Sequence, residues 1–304
     1  MKIARYSGPR GTRIGVLVGE DERAVLDLLH QAEIWNQTWV MPLLGDLRAL
    51  LAAGSAGADA IRHLLSYGTD EAIPLDRVRL LAPFEAGSRI LAHVVNYTEH
   101  GDEANLRGPE MPFFFYKSVN TVNHPNAPII AHPHSSKMDH EVELAAIIGR
   151  VGKDIAHDEA ETYIAGYTVL NDVSYRDYQM IENVPSVAER YGKNWTQGKN
   201  LDLACPIGPY IVLKDEIVDP YQLELTCRVN GELRQKASTS EMIYRVPEMI
   251  AEVSKGMTLY PGDIIATGTC AGGGLGTGKY LQPGDVVVCE IESIGTLTNT
   301  VMAG

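Results

Sequence analysis

Positive charge is scarce in this chain: 26 lysines and arginines face 39 aspartates and glutamates, for a formal net charge of −13. Nucleic acid and anionic lipid both want a basic face, so neither class of partner is expected. Long apolar runs are lacking too. Charges and glycines interrupt every apolar stretch well before the ~20 residues of a membrane-spanning helix, so no membrane partner is expected. Cysteine is sparse and scattered: Cys205, Cys227, Cys270 and Cys289 form no Cys-x-x-Cys pair. That argues against a disulfide framework or a thiolate zinc site, and predicts a reducing cytoplasm. The opening Met1-Lys2-Ile3-Ala4-Arg5-Tyr6 has neither the apolar core nor the cleavage site of a secretory signal. An acidic protein that handles a small anion needs local positive charge, which a metal and a few lysines supply.

What is present is the composition of a globular enzyme: 45% apolar and 21% charged over 304 residues. Residues 12–29 alternate like a hairpin about Gly19-Glu20-Asp21, and residues 43–65 turn helical, with Leu47, Leu50 and Leu51 spaced by three and four. This predicts a small N-terminal α+β domain over residues 1–80. From residue 90 onward strand signals dominate, at 89–96, 142–148, 167–170, 259–265 and 286–291, with an Asn230-Gly231 hairpin turn. Helices are expected at 158–164, around 175–182 and at 246–253. The class is α+β and β-dominated, with a catalytic domain over 81–304. Strand density suggests closure into a barrel-like roll.

Asp139-His140-Glu141-Val142-Glu143-Leu144-Ala145 is the sharpest chemical signal. In a strand, residues two apart point the same way, so Glu141 and Glu143 share a face. An apolar run follows, and two buried carboxylates side by side need a cation. An all-oxygen set suits Mg²⁺, Mn²⁺ or Ca²⁺ better than Zn²⁺. The competing reading is a solvated edge strand. Asp172, after the β-like 167–170, is a third ligand, although an aspartate there is ordinarily a turn or a helix cap. His100 and Glu103 are three apart, so one helical turn brings them together as an acid–base pair. Lys199, in a glycine-bearing loop, suits an oxyanion or a carboxylate, whereas most loop lysines are simply solvated. Lys117, closing the aromatic run 113–116, reads as a charge at a pocket rim or as a snorkelling surface lysine.

The glycine-rich 267–278 is not a phosphate loop, because no Gly-Lys-Ser/Thr closes it. Ala53-Gly54-Ser55-Ala56-Gly57 is not a nucleophile elbow, since it begins with Ala and sits in a helix break.

From residue 90 to the C-terminus, these ordered segments resemble the fumarylacetoacetate hydrolase family. They are Asn96-Tyr97 with His100 and Glu103, Lys117-Ser118, 139–144, 171–174 with Arg176-Asp177, Gly198-Lys199, 229–235, and 262–265 with Thr267-Gly268-Thr269. The resemblance implies a mixed β-sandwich roll, a homodimer, and Mg²⁺ or Mn²⁺ on Glu141, Glu143 and Asp172. It also implies a water-activating dyad of His100 and Glu103, Lys199 stabilising developing negative charge, and Lys117, Arg176, Gln179 and Thr269 at the substrate. The family has Pro after Gly-Thr in the late loop, where this chain has Cys270 and extra glycines. The implied activity is hydrolysis of a C–C bond in an acylpyruvate-like 2,4-dioxo acid, releasing pyruvate. Decarboxylation, isomerisation or hydration of a small anionic 2-oxo acid uses the same metal chemistry. A non-catalytic metal-binding scaffold is the alternative of another class.

Overall fold

The computed structural model describes residues 1–85, 87–103, 108–180 and 194–304. Its centre is the strand Val142–Ile148, all seven residues of which are buried. Alternation sends Leu144, Ala146 and Ile148 to one face and Ala145 and Ile147 to the other. The first set packs with Leu225, Val287 and Ile291 of a five-stranded second sheet. The second set packs with Leu50, Ile61 and Leu64 of the N-terminal helices. A strand covered on both sides reads as a continuous apolar run, and this one does. Each fully buried Leu or Ile in these layers contributes about 1.5–3 kcal/mol.

Val142–Ile148 pairs antiparallel with Ile164–Asn171 on one side and Ile264–Ala266 on the other. Beyond Ile264–Ala266 come the parallel Ile90–His93 and then Phe114–Lys117. In the other direction Ile164–Asn171 joins Cys205–Leu213, which pairs with Lys2–Gly8. Lys2–Gly8 also pairs with Gly11–Val18 and with Arg79–Leu81, so the N-terminal strands continue the central sheet. The second sheet runs Glu232–Ser238, Glu224–Val229, Val286–Ile291, Gly295–Ala303, Ile129–Ala131. The fold is therefore a β-dominated mixed sandwich with few helices. The expected barrel-like closure does not occur among the described residues: the large sheet is open, with Ile73–Pro74 and Phe114–Lys117 at its ends.

The 12–29 hairpin forms as Gly11–Val18 against Ala24–Asp27, and the Asn-Gly turn joins Glu224–Val229 to Glu232–Ser238. The helical 43–65 resolves into Leu47–Ala52 and Ser55–Leu65, broken at Gly54, whose φ is 55°. The helix Val246–Val253 is as expected. The helix expected at 158–164 is instead a short 3-10 turn, Ala160–Tyr163, feeding the strand that starts at Ile164. Ile164 is the first buried apolar residue of that strand, and sheet pairing outweighs the local helical signal. Of the helix expected around 175–182, Arg176–Gln179 is present, and residues 181 and 182 lie outside the described residues. Cys227 and Cys289, distant in sequence, are cross-strand partners with sulfurs 3.9 Å apart.

Candidate active site

The ends of two paired strands hold the acidic centre. Glu141 and Glu143 flank Val142, whose partner across the sheet is Asn171, so Asp172 arrives beside them. Two further bonds lock this register: Asp172 N–H donates to Glu141 O at 2.9 Å, and Glu141 N–H to Asn171 Oδ1 at 3.0 Å. One oxygen from each of Glu141, Glu143 and Asp172 lies within 4.8 Å of the others, and all three residues are buried.

Cations surround this cluster. Lys199 Nζ donates to Glu141 Oε2 at 2.5 Å and to Asp172 Oδ2 at 2.7 Å. It also sits 5.1 Å from the Phe115 ring centre and 5.9 Å from that of Trp195. Lys117 is neither a rim charge nor a snorkelling surface lysine: it is 2% exposed and donates to Asp172 Oδ1 at 2.5 Å and to Val173 O at 3.2 Å. It braces a carboxylate from within the core. Arg176 donates through Nε to Asp139 Oδ2 at 2.8 Å, through Nη1 to Gln179 Oε1 at 2.7 Å, and through Nη2 to Glu141 Oε1. Thr269 Oγ1 donates to Val142 O at 2.8 Å and accepts from Gln235 Nε2 at 2.9 Å, which ties it to the same strand.

Buried carboxylates beside such cations respond unequally. Burial alone would raise Glu141, yet Arg176 and Lys199 outweigh it and hold that carboxyl well below its usual range. Glu143 goes the other way: burial, then the charges of Asp172 and Glu141, push it well above the usual range. Its side chain accepts one backbone bond, from Gly268 N–H at 2.8 Å. Lys117, Arg176 and Lys199 pair with Asp139, Glu141 and Asp172, while Glu143 has no ion-pair partner among the described residues. An under-compensated all-oxygen cluster of this kind fits a divalent cation, and Glu141, Glu143 and Asp172 are the residues that would hold it.

His100 reaches the same pocket from the helix Thr98–Glu103. That helix is positioned by Asn96, whose Nδ2 donates to Thr267 O at 2.7 Å and to Tyr244 O at 3.0 Å. His100 Nδ1 is buried with no hydrogen-bond partner among the described residues. Burial pulls its pKa below the ordinary imidazole value, and the charges of Arg176 and Lys199 act in the same sense. Glu103 does not meet it. The Glu103 carboxylate instead accepts Gly272 N–H at 2.9 Å, in the glycine-rich loop.

The structure thus gathers Glu141, Glu143, Asp172, Lys199, His100, Arg176, Gln179 and Thr269 at one pocket, and turns Lys117 and Glu103 to other partners. Sequence reasoning gave no role to Asp139, Phe115, Trp195 or Leu275. Asp139 had a readable signal, because it extends the two-residue spacing of Glu141 and Glu143 by one step. The other three sit in local contexts with no chemical signature. Val95, also on the pocket wall, holds φ at 51°, a conformation that costs a β-branched residue about 1–3 kcal/mol.

The profile of the fumarylacetoacetate (FAA) hydrolase C-terminal domain matches residues 89–302. The chain belongs to the fumarylacetoacetate hydrolase family. It is 42% identical over 232 residues to the mitochondrial oxaloacetate tautomerase Fahd2a of Rattus norvegicus, covering 76% of this chain and 71% of the relative. With the mitochondrial oxaloacetate tautomerase FAHD2B of Bos taurus it shares 40% over 306 residues, 99% of this chain and 92% of that one. Among solved structures, the fumarylacetoacetate hydrolase of Exiguobacterium antarcticum superposes with a TM-score of 0.78 at 35% identity, covering 100% of both chains. Maleylpyruvate hydrolase from Sphingobium sp. SYK-6, in complex with manganese(II) and pyruvate, gives 0.76 at 28%, again over 100% of both. These relatives are enzymes: tautomerases and hydrolases. The cytoplasmic expectation is overturned by curated relatives at 40–42% identity that are mitochondrial. Unpaired cysteines suit any compartment that keeps thiols reduced, so their pattern does not single out the cytoplasm. No described helix is long and apolar enough to cross a membrane.

Proposed function

We propose that this chain is a divalent-metal-dependent keto–enol tautomerase of a small 2-oxo dicarboxylic acid, with oxaloacetate as the first substrate to try. The observation that carries this reading is the separation of His100 from Glu103. Hydrolysis of a C–C bond needs a water activated by an oriented imidazole, and here the orienting carboxylate is engaged by Gly272. Tautomerisation needs only a group that moves one proton between carbon and oxygen. The two tautomerases at 40–42% identity support the same choice.

Mg²⁺ or Mn²⁺ on Glu141, Glu143 and Asp172 would supply Lewis-acid polarisation of the 2-oxo group. His100 is neutral above the ordinary imidazole range, so it takes a proton from C3 as the electron pair shifts to the 2-oxo oxygen. It then returns the proton to that oxygen, and the reverse sequence ketonises the enol. Lys199 Nζ holds the negative charge that develops in between. Arg176 would pair with the distal carboxylate, exchanging one of its present partners. Phe115, Trp195 and Leu275 keep water from the reacting carbon.

The test strips the protein of metal, restores Mg²⁺ or Mn²⁺, and follows the decay of enol-oxaloacetate absorbance. Pyruvate release from acylpyruvates is measured in parallel. Metal-dependent ketonisation without pyruvate release supports the reading. Pyruvate release without ketonisation overturns it in favour of C–C hydrolysis.

A further inference from the structure

Gly272-Gly273-Gly274-Leu275-Gly276 carries one side chain in five residues. Two carboxylates take three of its N–H groups. Gly272 donates to Glu103 Oε2 at 2.9 Å, Gly274 to Asp139 Oδ1, and Leu275 to Asp139 Oδ2 at 3.0 Å. The glycines are required by how closely these partners approach. A Cβ on Gly274 would lie 2.9 Å from Asp139 Oδ1, and one on Gly276 would lie 2.6 Å from the Glu103 carboxyl. Gly272, at φ +99°, would meet Arg234 O at 1.9 Å. These bonds and contacts seat the run, and Leu275 is the side chain it delivers to the pocket wall that Phe115, Trp195 and Thr269 also line. Asp139, fully buried, accepts Arg176 Nε as well. One carboxylate thus seats both the apolar wall and the guanidinium.

We infer that Leu275 is a specificity-determining residue that limits how far a 2-oxo acid extends beyond C3, and that Asp139 is the positioning residue that sets the limit. The inference rests on the proposed binding of a 2-oxo acid at this site. An isobutyl group held on the wall of a small pocket collides with added methylenes, each of which a fixed apolar wall discriminates by roughly 10–200-fold. Four-carbon 2-oxo dicarboxylates fit, and binding weakens as the acyl chain of a 2,4-dioxo acid lengthens. A loose glycine run would give way; one held at three N–H groups and wound into the short helix Gly274–Thr277 does not.

Binding is the readout, so that chemistry and size selection fail separately. Calorimetry on the full Mn²⁺-loaded chain would measure a series from acetylpyruvate to heptanoylpyruvate. In the unaltered protein, affinity should fall along the series. Leu275→Ala should raise the heptanoyl-to-acetyl affinity ratio at least about tenfold, and Leu275→Phe should lower it. Asp139→Asn should move the ratio in the same direction as Leu275→Ala, a shift that simple loss of stability would not produce. A ratio that stays within about twofold in both Leu275 variants overturns the inference. An unmoved ratio in Asp139→Asn removes the role given to Asp139. A Leu275-dependent limit without any proton transfer would sink the tautomerase reading and leave this one standing.

Discussion

Two sides of the pocket are built by different means. Glu141, Glu143 and Asp172 are carried by paired strands whose register is fixed by main-chain bonds and by a core packed on both faces. The run 272–276 lies outside every described strand, enters the one-turn helix Gly274–Thr277, and is anchored by the side chains of Glu103 and Asp139. Charge therefore rests on the part of the fold that is hardest to move, and shape on the part that a few hydrogen bonds define. A site built this way can keep its chemistry while its substrate range changes, because the loop can alter without disturbing the strands.

The sharpest way to break the comparison is to attack the acidic side. Chelation of the metal should reduce turnover to background, with full recovery on adding Mn²⁺. Glu143→Gln should cost roughly 100-fold or more in Mn²⁺ affinity by calorimetry. The same variant carries a prediction of opposite sign for stability. In metal-free protein, Glu143 is a buried carboxyl facing two like charges, so its neutral amide should leave the melting temperature unchanged or raised. A lower melting temperature in the metal-free variant would show that Glu143 is already compensated there.

His100→Gln comes next, with an expected loss of roughly 10²–10⁴ in kcat and Mn²⁺ binding retained. The pH dependence follows from the sign of the shift. The pKa of His100 is depressed by burial, so the protonated, inactive form accumulates only below the ordinary imidazole value. The rate should hold across neutral pH and fall on an acid limb below about 6.5. The Gln variant should lack that limb. An acid limb that survives in it would assign the titration to another group.

The acidic side was the legible one. Two glutamates at a spacing of two put both carboxylates on one face of a strand, because the pleat has a period of two, and the core packing decides for a buried strand over a solvated edge. Their shared order with the other motifs gave the family. The loop side was less readable, since its bonds join residues far apart in sequence: Glu103 to Gly272, Asp139 to Gly274 and Leu275. A spacing of three on a helix allows His100 and Glu103 to touch but does not say whether a stronger donor competes. Lys117 was misplaced for a related reason: the aromatic run before it says nothing of Asp172, which takes its ammonium in the core. The continuation of the central sheet by the N-terminal strands was equally invisible, because the pairing of Lys2–Gly8 with Cys205–Leu213 spans about two hundred residues.

Asp139→Asn tests the joint between the two sides. It leaves Arg176 facing a neutral amide and sets an N–H donor against the loop N–H groups, so unfolding should become easier by about 3–5 kcal/mol, the cost of breaking a buried pair. Denaturant unfolding measures this; a midpoint shift worth less than about 1 kcal/mol would mean that Arg176 is compensated by Glu141 alone.

The smallest expected effect is the most discriminating. If Glu103 orients His100 for water activation, Glu103→Gln should lower kcat nearly as far as His100→Gln does. If it is a loop anchor, the amide oxygen of glutamine still accepts Gly272 N–H, and the exposed position tolerates loss of charge. The expected change is then less than about tenfold in kcat, or below about 1.4 kcal/mol in the barrier. Side-by-side kinetics of the two variants on enol-oxaloacetate decide the matter. A loss in Glu103→Gln that approaches that of His100→Gln would restore the dyad and turn the chemistry back toward hydrolysis. A small loss leaves the imidazole working alone, as proton transfer between carbon and oxygen requires.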